Sequence, residues 1–231
     1  MSLLIVRHGQ AQAGTDDYDR LSERGREQSR RLGHWLAANG HRFDRVVVGG
    51  MRRHLQSVEA LVEGYGEALP DPHVDAGFAE FDHHAVFSNF ASANPDHPAV
   101  IGVRDGGLPA FGALIRAALA AWAHDRIEGL PETWVAFGDR VSAAGERLVD
   151  DGRRTLVMTS GGVISRLAQR ALGADDPVAI DLNLSLRNSG LCEFSPRPHA
   201  PVDPAGRPRL GLTTWNALPH LHDAKELWTY Y

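Results

Sequence analysis

An arginine, a histidine and a glycine follow directly after the first apolar run of the chain, as Arg7, His8 and Gly9. An arginine presents a planar fork of donors that fits phosphate oxygens, and a neutral imidazole nitrogen can attack phosphorus as a nucleophile. A glycine at the third place allows the backbone to turn closely beneath a bound anion. A surface arginine beside a capping histidine would give the same three letters, so the triplet needs support from the rest of the chain.

A second arginine stands in a comparable position, within the segment VVVGGMRRHLQSVEAL. The segment reads as a strand, a glycine turn and a helix, with Arg53 in the first turn of the helix. The N-terminus of a helix favours anions through its free N–H groups and its dipole. A run such as MRRHLQS is by itself more typical of a solvated helix start, because arginines are mostly exposed. Its position directly after a strand favours the anion-binding interpretation.

Three short apolar runs, at residues 3–6, 45–48 and 155–159, are each followed by a helix-like segment. Such runs are typical of strands that are buried on both faces of a mostly parallel sheet. The alternation of strands and helices predicts a single domain over residues 1–231, an α/β fold built as a three-layer α/β/α sandwich with a mostly parallel central sheet.

The remaining elements follow from apolar periodicity and from turn residues. Helices are expected at residues 22–40, about 52–63, 109–124, 131–151 and 162–172. Two later strands are expected at residues 184–195 and 208–218, joined by a Pro-rich loop at 196–208. Ligands of open α/β sheets bind beyond the carboxyl ends of the strands, which is where Arg7 and His8 would lie.

The segment at about residues 82–108 differs from the rest of the chain. It is rich in Asn, Asp, His, Pro and Gly and has no clear periodicity, so we expect an irregular insertion there. A long irregular segment in a compact domain is often a functional lid, and a tolerated surface insertion gives the same pattern. The sequence leaves both interpretations open.

Composition excludes several functional classes. Hydrophobic residues make up 43 % and charged residues 23 % of the 231 residues, as in soluble globular proteins. The net charge of -5 argues against a nucleic-acid partner, since phosphate-binding surfaces carry a basic excess. The single cysteine, Cys192, permits neither an intrachain disulfide nor a cysteine zinc cluster and fits a cytoplasmic location. We find no export signal and no run of about 18 apolar residues, so no membrane association is expected.

Motifs for other chemistries are missing from the sequence. It contains no P-loop, HExxH, EF-hand or dinucleotide-binding glycine pattern, so we expect neither a metal nor a cofactor. Ser160 precedes two glycines, but Met158 occupies the place of the first glycine in the Gly-x-Ser-x-Gly elbow of serine hydrolases. A serine nucleophile is therefore disfavoured.

Taken together, the motifs resemble the histidine phosphatase superfamily, in its phosphoglycerate-mutase-like branch. IVRHGQ resembles the opening motif, YDRLSERGREQSRRLG the segment after it, GGMRRHLQS the second-arginine motif and GFAEFD the acid-carrying motif. RNSGLCEF and WNALPHL are similar to the late strands of the family, and the resemblance covers the chain except residues 82–130. It implies that His8 is the nucleophile, that Arg7 and Arg53 clamp the phosphate, and that Glu80 donates a proton.

The chain departs from the family at Ser160, where a second histidine usually precedes Gly-Gly. We expect the Ser160 hydroxyl and the helix N-terminus at Gly161 to bind phosphate together with Arg7, Gly9 and Arg53. Loss of one preorganised donor costs about 10²- to 10³-fold in rate. Enzymes accelerate phosphate-ester hydrolysis by up to about 10²¹-fold, so this arithmetic permits an active enzyme. Candidates for the missing imidazole are His54, His83, His84 and His220.

The expected function is hydrolysis of a small phosphorylated metabolite through a phosphohistidine on His8. A hydrolase is favoured over a phosphoglycerate-type mutase because the insertion, apart from Arg104, offers no basic cluster for a second anion. The competing interpretation is a phosphoester-binding protein that lost most or all of its turnover with the second histidine. Gly14 stands where the family has an asparagine, which leaves the orientation of substrate on that side open. The sequence makes no prediction of oligomeric state.

Overall fold

The computed structural model describes residues 3–12, 19–106, 108–149, 152–196 and 210–230. Within these residues the strands are β1 (Leu3–Arg7), β2 (Arg45–Val48), β3 (His73–Val74), β4 (Thr155–Thr159), β5 (Leu191–Pro196) and β6 (Leu210–Ala217). The helices of the described residues are α1 (Glu23–Ala38), α2 (Arg52–Tyr65), α3 (His83–Ala93), α4 (Pro98–Asp105), α5 (Leu108–Ala123), α6 (Trp134–Val149), α7 (Gly161–Leu172) and α8 (Asp176–Ser185). Gly14 and residues 197–209, most of the predicted Pro-rich loop, lie outside the described residues.

The strands form one mostly parallel sheet in the order β3-β2-β4-β1-β5-β6. β1, β2, β3 and β4 are parallel, whereas β5 runs antiparallel to both β1 and β6. β1 and β4 are neighbours, with Arg7 paired to Thr159 at their carboxyl ends. The ends of β1, β2 and β4 therefore lie at one edge of the sheet.

Helices cover both faces of the sheet. Successive side chains of each buried strand point to opposite faces and pack against these helices. Val6 belongs to an apolar cluster with Leu32 of α1 and Leu61 of α2. Ile5 belongs to a second cluster with Phe137 of α6 and Ile164 of α7. The prediction of a three-layer sandwich with a mostly parallel sheet is confirmed.

The prediction that residues 82–108 are irregular is wrong, because α3 and α4 occupy most of that segment. Asp82 caps α3 through a bond from the N–H three residues on, at 2.9 Å, and Pro98 occupies the first turn of α4. Val86 and Phe90, four residues apart in α3, are buried and belong to the same apolar cluster as Ile5 of β1. Because α3 has only 11 and α4 only 8 residues, neither gives a clear apolar period in the sequence. The role of this segment as a lid stays a prediction.

A second difference lies before β5. The sequence predicted a strand from residue 184, but residues 176–185 form α8 and β5 begins at Leu191. Leu182, Leu184 and Leu186 alternate with polar residues as in a strand. A helix forms nevertheless, because the Asp175 carboxylate accepts a bond from a backbone N–H of the first turn at 3.1 Å. Across the described residues, no helix is long and apolar enough to cross a membrane.

Candidate active site

The triplet at the end of β1 is held between β4 and two helices. The His8 N–H donates to the Thr159 carbonyl oxygen at 2.8 Å, and the Gly9 N–H donates to Ser57 Oγ of α2 at 3.0 Å. A Cβ added to Gly9 would come within 2.3 Å of the Gly25 carbonyl oxygen at the start of α1. Only a glycine therefore fits here, and the close approach fixes the turn that carries His8.

The His8 ring is neutral, with a defined tautomer. Its Nδ1 lies 2.6 Å from the Gly9 carbonyl oxygen, which can only accept, so Nδ1 carries the proton. Its Nε2 accepts a bond from Arg53 Nε at 3.2 Å. Burial, and then the charges of Arg53 and Arg7, hold the pKa of His8 well below its ordinary value of 6.5. Nε2 is therefore an unprotonated nitrogen at the edge of the sheet, as nucleophilic attack requires.

Two buried guanidinium groups flank this ring. Arg7 donates from Nη1 to the Leu186 carbonyl oxygen, and its guanidinium lies beside the start of α7, 3.8 Å from a Cβ added to Gly161. Arg53, which is 3 % exposed, donates from Nη1 to Asp19 Oδ1 at 2.7 Å. The charges of both guanidinium groups act on the His8 ring, so two cations lie at this end of the sheet.

The end of β4 contributes Ser160 and the N-terminus of α7. Ser160 Oγ accepts a bond from Arg53 Nη2 at 3.4 Å and lies 2.7 Å from His54 Nε2. The His54 ring is completely buried, and its centroid lies 5.6 Å from that of His8. Gly161 begins α7, and a Cβ added to it would lie 3.7 Å from Arg7 Nε, so the N-terminus of the helix lies beside this guanidinium group.

Glu80 lies against the first turn of α7. Its Oε2 accepts a bond from the Gly162 N–H at 3.0 Å, and its Oε1 accepts one from the Phe81 N–H at 3.2 Å. Burial raises the pKa of Glu80, and the Gly162 N–H and the charges of Arg53 and Arg7 oppose that shift. A Cβ on Gly162 would come within 2.3 Å of Glu80 Oε1, so the carboxyl group approaches the helix as closely as it does because this residue is a glycine.

The structure brings the predicted residues to one edge of the sheet: Arg7, His8, Gly9, Arg53, Glu80, Ser160 and Gly161. Their roles in catalysis and phosphate binding stay predictions. In the described part of the chain, no group of three or more His, Cys, Asp or Glu residues is arranged to hold a metal ion.

The four candidate histidines differ in their places. His54 contacts Ser160 directly. His83 lies at the start of α3 with its ring centroid 4.3 Å from that of His84, and burial lowers its pKa to about 4. His220 does not contact Ser160; its Nε2 lies 2.9 Å from Oγ of Ser189, whose N–H donates to the His8 carbonyl oxygen at 3.2 Å.

Sequence reasoning did not identify Asp19, whose carboxylate accepts bonds from the Arg53 side chain at 2.7 Å and from the Arg52 N–H at 2.9 Å. It also did not identify Ser57 or the Leu186 carbonyl oxygen. These partners carry no sequence signal of their own, since each depends on a contact between distant segments.

The model of the histidine phosphatase superfamily (branch 1) matches residues 3–101. This match confirms, over those residues, the resemblance seen in the motifs, and two of the similar solved structures are named as phosphatases. A search of the curated proteins found no match.

Three solved structures illustrate the fold. An alpha-ribazole phosphatase from Shigella flexneri has a TM-score of 0.60 and 20 % identity, over 94 % of this chain and 96 % of its own. A mycobacterial glucosyl-3-phosphoglycerate phosphatase with inorganic phosphate has a TM-score of 0.60 and 22 % identity, over 95 % of this chain and 98 % of its own. A mutant phosphoserine phosphatase from Entamoeba histolytica with phosphoserine has a TM-score of 0.61 and 17 % identity, over 95 % of this chain and 98 % of its own. At these identities the likeness establishes the fold alone.

Proposed function

We propose that this protein is a phosphatase that hydrolyses a small phosphorylated metabolite through a phosphohistidine on His8. The observation that carries the proposal is the state of the His8 ring. Its Nδ1 proton is held by the Gly9 carbonyl oxygen at 2.6 Å, and its Nε2 lone pair lies between two buried arginines. A neutral imidazole in a cationic pocket is suited to attack a phosphate ester, because the pocket attracts the dianion and keeps the nucleophile unprotonated.

In the first step His8 Nε2 attacks phosphorus in line, the N–P bond forms and the ester P–O bond breaks. Arg7, Arg53, the Ser160 hydroxyl and the N–H groups at Gly161 hold the equatorial oxygens, over which the transition-state charge is spread. Without substrate, Arg53 Nε donates to His8 Nε2 at 3.2 Å. Substrate binding must therefore draw this N–H onto a phosphoryl oxygen, which frees the lone pair for attack.

Glu80 supplies the proton that the departing alkoxide needs. Burial raises the pKa of this carboxyl group, so a larger fraction of it is protonated at the working pH. After the alcohol leaves, the Glu80 carboxylate activates a water molecule that attacks the phosphohistidine, and the N–P bond breaks to release phosphate. The bond from the Gly162 N–H at 3.0 Å holds the carboxylate in place for both steps.

Hydrolysis is proposed over transfer to a second hydroxyl because the similar structures named above are phosphatases. A phosphoester-binding protein with little turnover is the competing candidate, since Ser160 stands where the family has a second histidine. The free, buried thiol of Cys192 suits the reducing cytoplasm, where we place the protein.

The test measures hydrolysis of p-nitrophenyl phosphate by the parent and by His8→Ala, together with alkaline quenching to detect a phosphoenzyme. We expect turnover by the parent, none above background by His8→Ala, and an acid-labile, alkali-stable phosphoenzyme in the parent. A parent as inert as His8→Ala that still binds inorganic phosphate would favour the binding protein. A phosphoenzyme that transfers to a sugar or glycerate phosphate would favour the mutase.

A further inference from the structure

A buried imidazole stands directly behind Ser160. His54 is 0 % and Ser160 1 % exposed, and His54 Nε2 lies 2.7 Å from Ser160 Oγ. His54 comes from α2, one residue after Arg53, whereas Ser160 is the residue between the end of β4 and the start of α7. The imidazole thus reaches the end of β4 from a different element.

The hydrogen bonds around Ser160 determine which way its own proton points. Arg53 Nη2 can only donate, so it occupies one lone pair of Ser160 Oγ, at 3.4 Å. If His54 Nε2–H occupies the other, the hydroxyl has no lone pair left for a further donor. Its proton must then be donated away from both groups, towards an acceptor.

The other ring nitrogen of His54 decides between the two tautomers. His54 Nδ1 is buried and has no hydrogen-bond partner among the described residues, and it lies 3.0 Å from the position of a Cβ on Gly49. A buried N–H without an acceptor is rarer and costs more than an unoccupied lone pair. The proton therefore belongs on Nε2, which makes His54 a donor to Ser160.

His54 keeps this single proton because its surroundings are cationic or neutral. Burial, and then the Arg53 guanidinium on the same helix, hold the pKa of His54 well below 6.5. The titratable group facing it from β1 is His8, which is also neutral. His54 is therefore a neutral donor in the free protein.

We propose that His54 is a positioning residue that orients the Ser160 hydroxyl as a donor to a phosphoryl oxygen, at the place where the superfamily has its second histidine. The inference rests on the proposed function for the identity of the ligand. Its geometric part, a donating His54 and an outward Ser160 proton, holds for any phosphate ester or inorganic phosphate at the site.

His54→Gln and His54→Asn separate the role of His54 as a hydrogen-bond donor from its role in filling space. The amide nitrogen of Gln reaches about as far as imidazole Nε2, and that of Asn about as far as Nδ1. With p-nitrophenyl phosphate, we expect Ser160→Ala to lower kcat about 10²-fold, with a much smaller change in KM. His54→Asn should lower kcat to a similar extent, and His54→Gln should stay within about threefold of the parent.

The double variant His54→Asn/Ser160→Ala tests whether His54 acts through Ser160. We expect it to be no slower than Ser160→Ala alone, because residues that act through one another are not additive. His220→Gln is the matched control, since it alters a second buried imidazole–hydroxyl pair, with Ser189. Its effect should simply multiply with that of Ser160→Ala. Independent losses for His54→Asn and Ser160→Ala, or an unimpaired His54→Asn, would overturn the proposal.

A second measurement does not depend on turnover. Long-range ¹H–¹⁵N spectra of the histidine rings should show His54 protonated at Nε2 and unprotonated at Nδ1. An Nδ1–H tautomer would overturn the proposal even in an active enzyme. If the parent hydrolyses nothing, the proposed function fails separately, and orthovanadate binding takes the place of kcat. Equal weakening of orthovanadate binding by Ser160→Ala, His54→Asn and the double variant would then support the inference, and independent weakening would contradict it.

Discussion

The carboxyl ends of β1 and β4 are the two halves of the site, and they place an imidazole there in different ways. The strands are parallel neighbours that end level, with Arg7 paired to Thr159. The next residue is His8 on one strand and Ser160 on the other. His8 presents its own ring, whereas Ser160 presents a hydroxyl with the ring of His54 behind it at 2.7 Å.

The difference shows which group of such a site, the nucleophile or the hydrogen-bond donor, depends on one particular position in the chain. In the proposed mechanism the nucleophile reaches phosphorus with its own ring, and we propose this role for His8, the residue that follows β1. A donor to a phosphoryl oxygen needs only a proton in the right direction, which a hydroxyl can supply when its lone pairs are occupied by Arg53 and His54. The end of β4 can therefore change its residue while the arrangement of donors survives.

The largest expected effect separates the two strand ends. His8→Ala should lower kcat for p-nitrophenyl phosphate about 10⁴-fold or more, because the covalent route is lost. Ser160→Ala should lower it about 10²-fold, because one donor is lost. Steady-state kinetics measures both, with His34→Ala on the exposed side of α1 as the control that should match the parent. Equal losses at the two positions would abolish the distinction between nucleophile and donor.

The next effect concerns Glu80, the proposed acid, whose carboxyl group accepts a bond from the Gly162 N–H in the first turn of α7. Glu80→Gln should slow the hydrolysis of alkyl phosphates by about 10²- to 10⁴-fold, since an alkoxide needs a proton to leave. With p-nitrophenyl phosphate the leaving group needs none, so a burst of p-nitrophenol should precede slow turnover, and phosphoenzyme should accumulate. Rapid-mixing absorbance and alkaline quenching detect the two signals. A Glu80→Gln variant that is slow without a burst would place Glu80 outside the second step.

A third prediction restores an imidazole at the end of β4. Ser160→His alone should be overpacked, because His54 Nε2 lies 2.7 Å from the serine oxygen, and should lose about 1–3 kcal/mol of stability. His54→Ala/Ser160→His makes room for the new ring and should recover both melting temperature and activity. Calorimetry and the p-nitrophenyl phosphate assay follow the recovery. A single Ser160→His variant that is fully stable would show that His54 does not occupy this space.

The smallest effect concerns pH. Burial lowers the pKa of His220 to about 3 from 6.5, so between these values the folded protein binds fewer protons than the unfolded chain. The contribution of His220 to stability is therefore present above pH 6.5 and is lost as the pH falls towards 3. His220→Gln should lower the melting temperature less at pH 5 than at pH 8. An identical shift at both values, by calorimetry, would show that His220 does not contribute to acid sensitivity.

The sequence predicted the elements of the site better than those of the segment around it. Residues 3–6, 45–48 and 155–159 are apolar on both faces and are followed by glycines and helical periods, so their placement needed no tertiary information. The helices α3, α4 and α8 were missed because they are short. Their caps and buried contacts, such as Phe90 in the core, stabilise them without a period that a sequence reading can detect.

The sequence by itself determined which residues stand at the strand ends and therefore which side chains can meet at the sheet edge: Arg7 at the end of β1 and His8 after it, Arg53 after β2, and Ser160 after β4. These follow from local periodicity and residue type, which each segment carries within itself. Only the tertiary structure decided the pairing of Arg53 with Asp19 and the place of His54 behind Ser160. These two contacts join residues 34 and 106 positions apart, and no local pattern specifies them, because they arise from how the packed helices present their side chains to the strand ends.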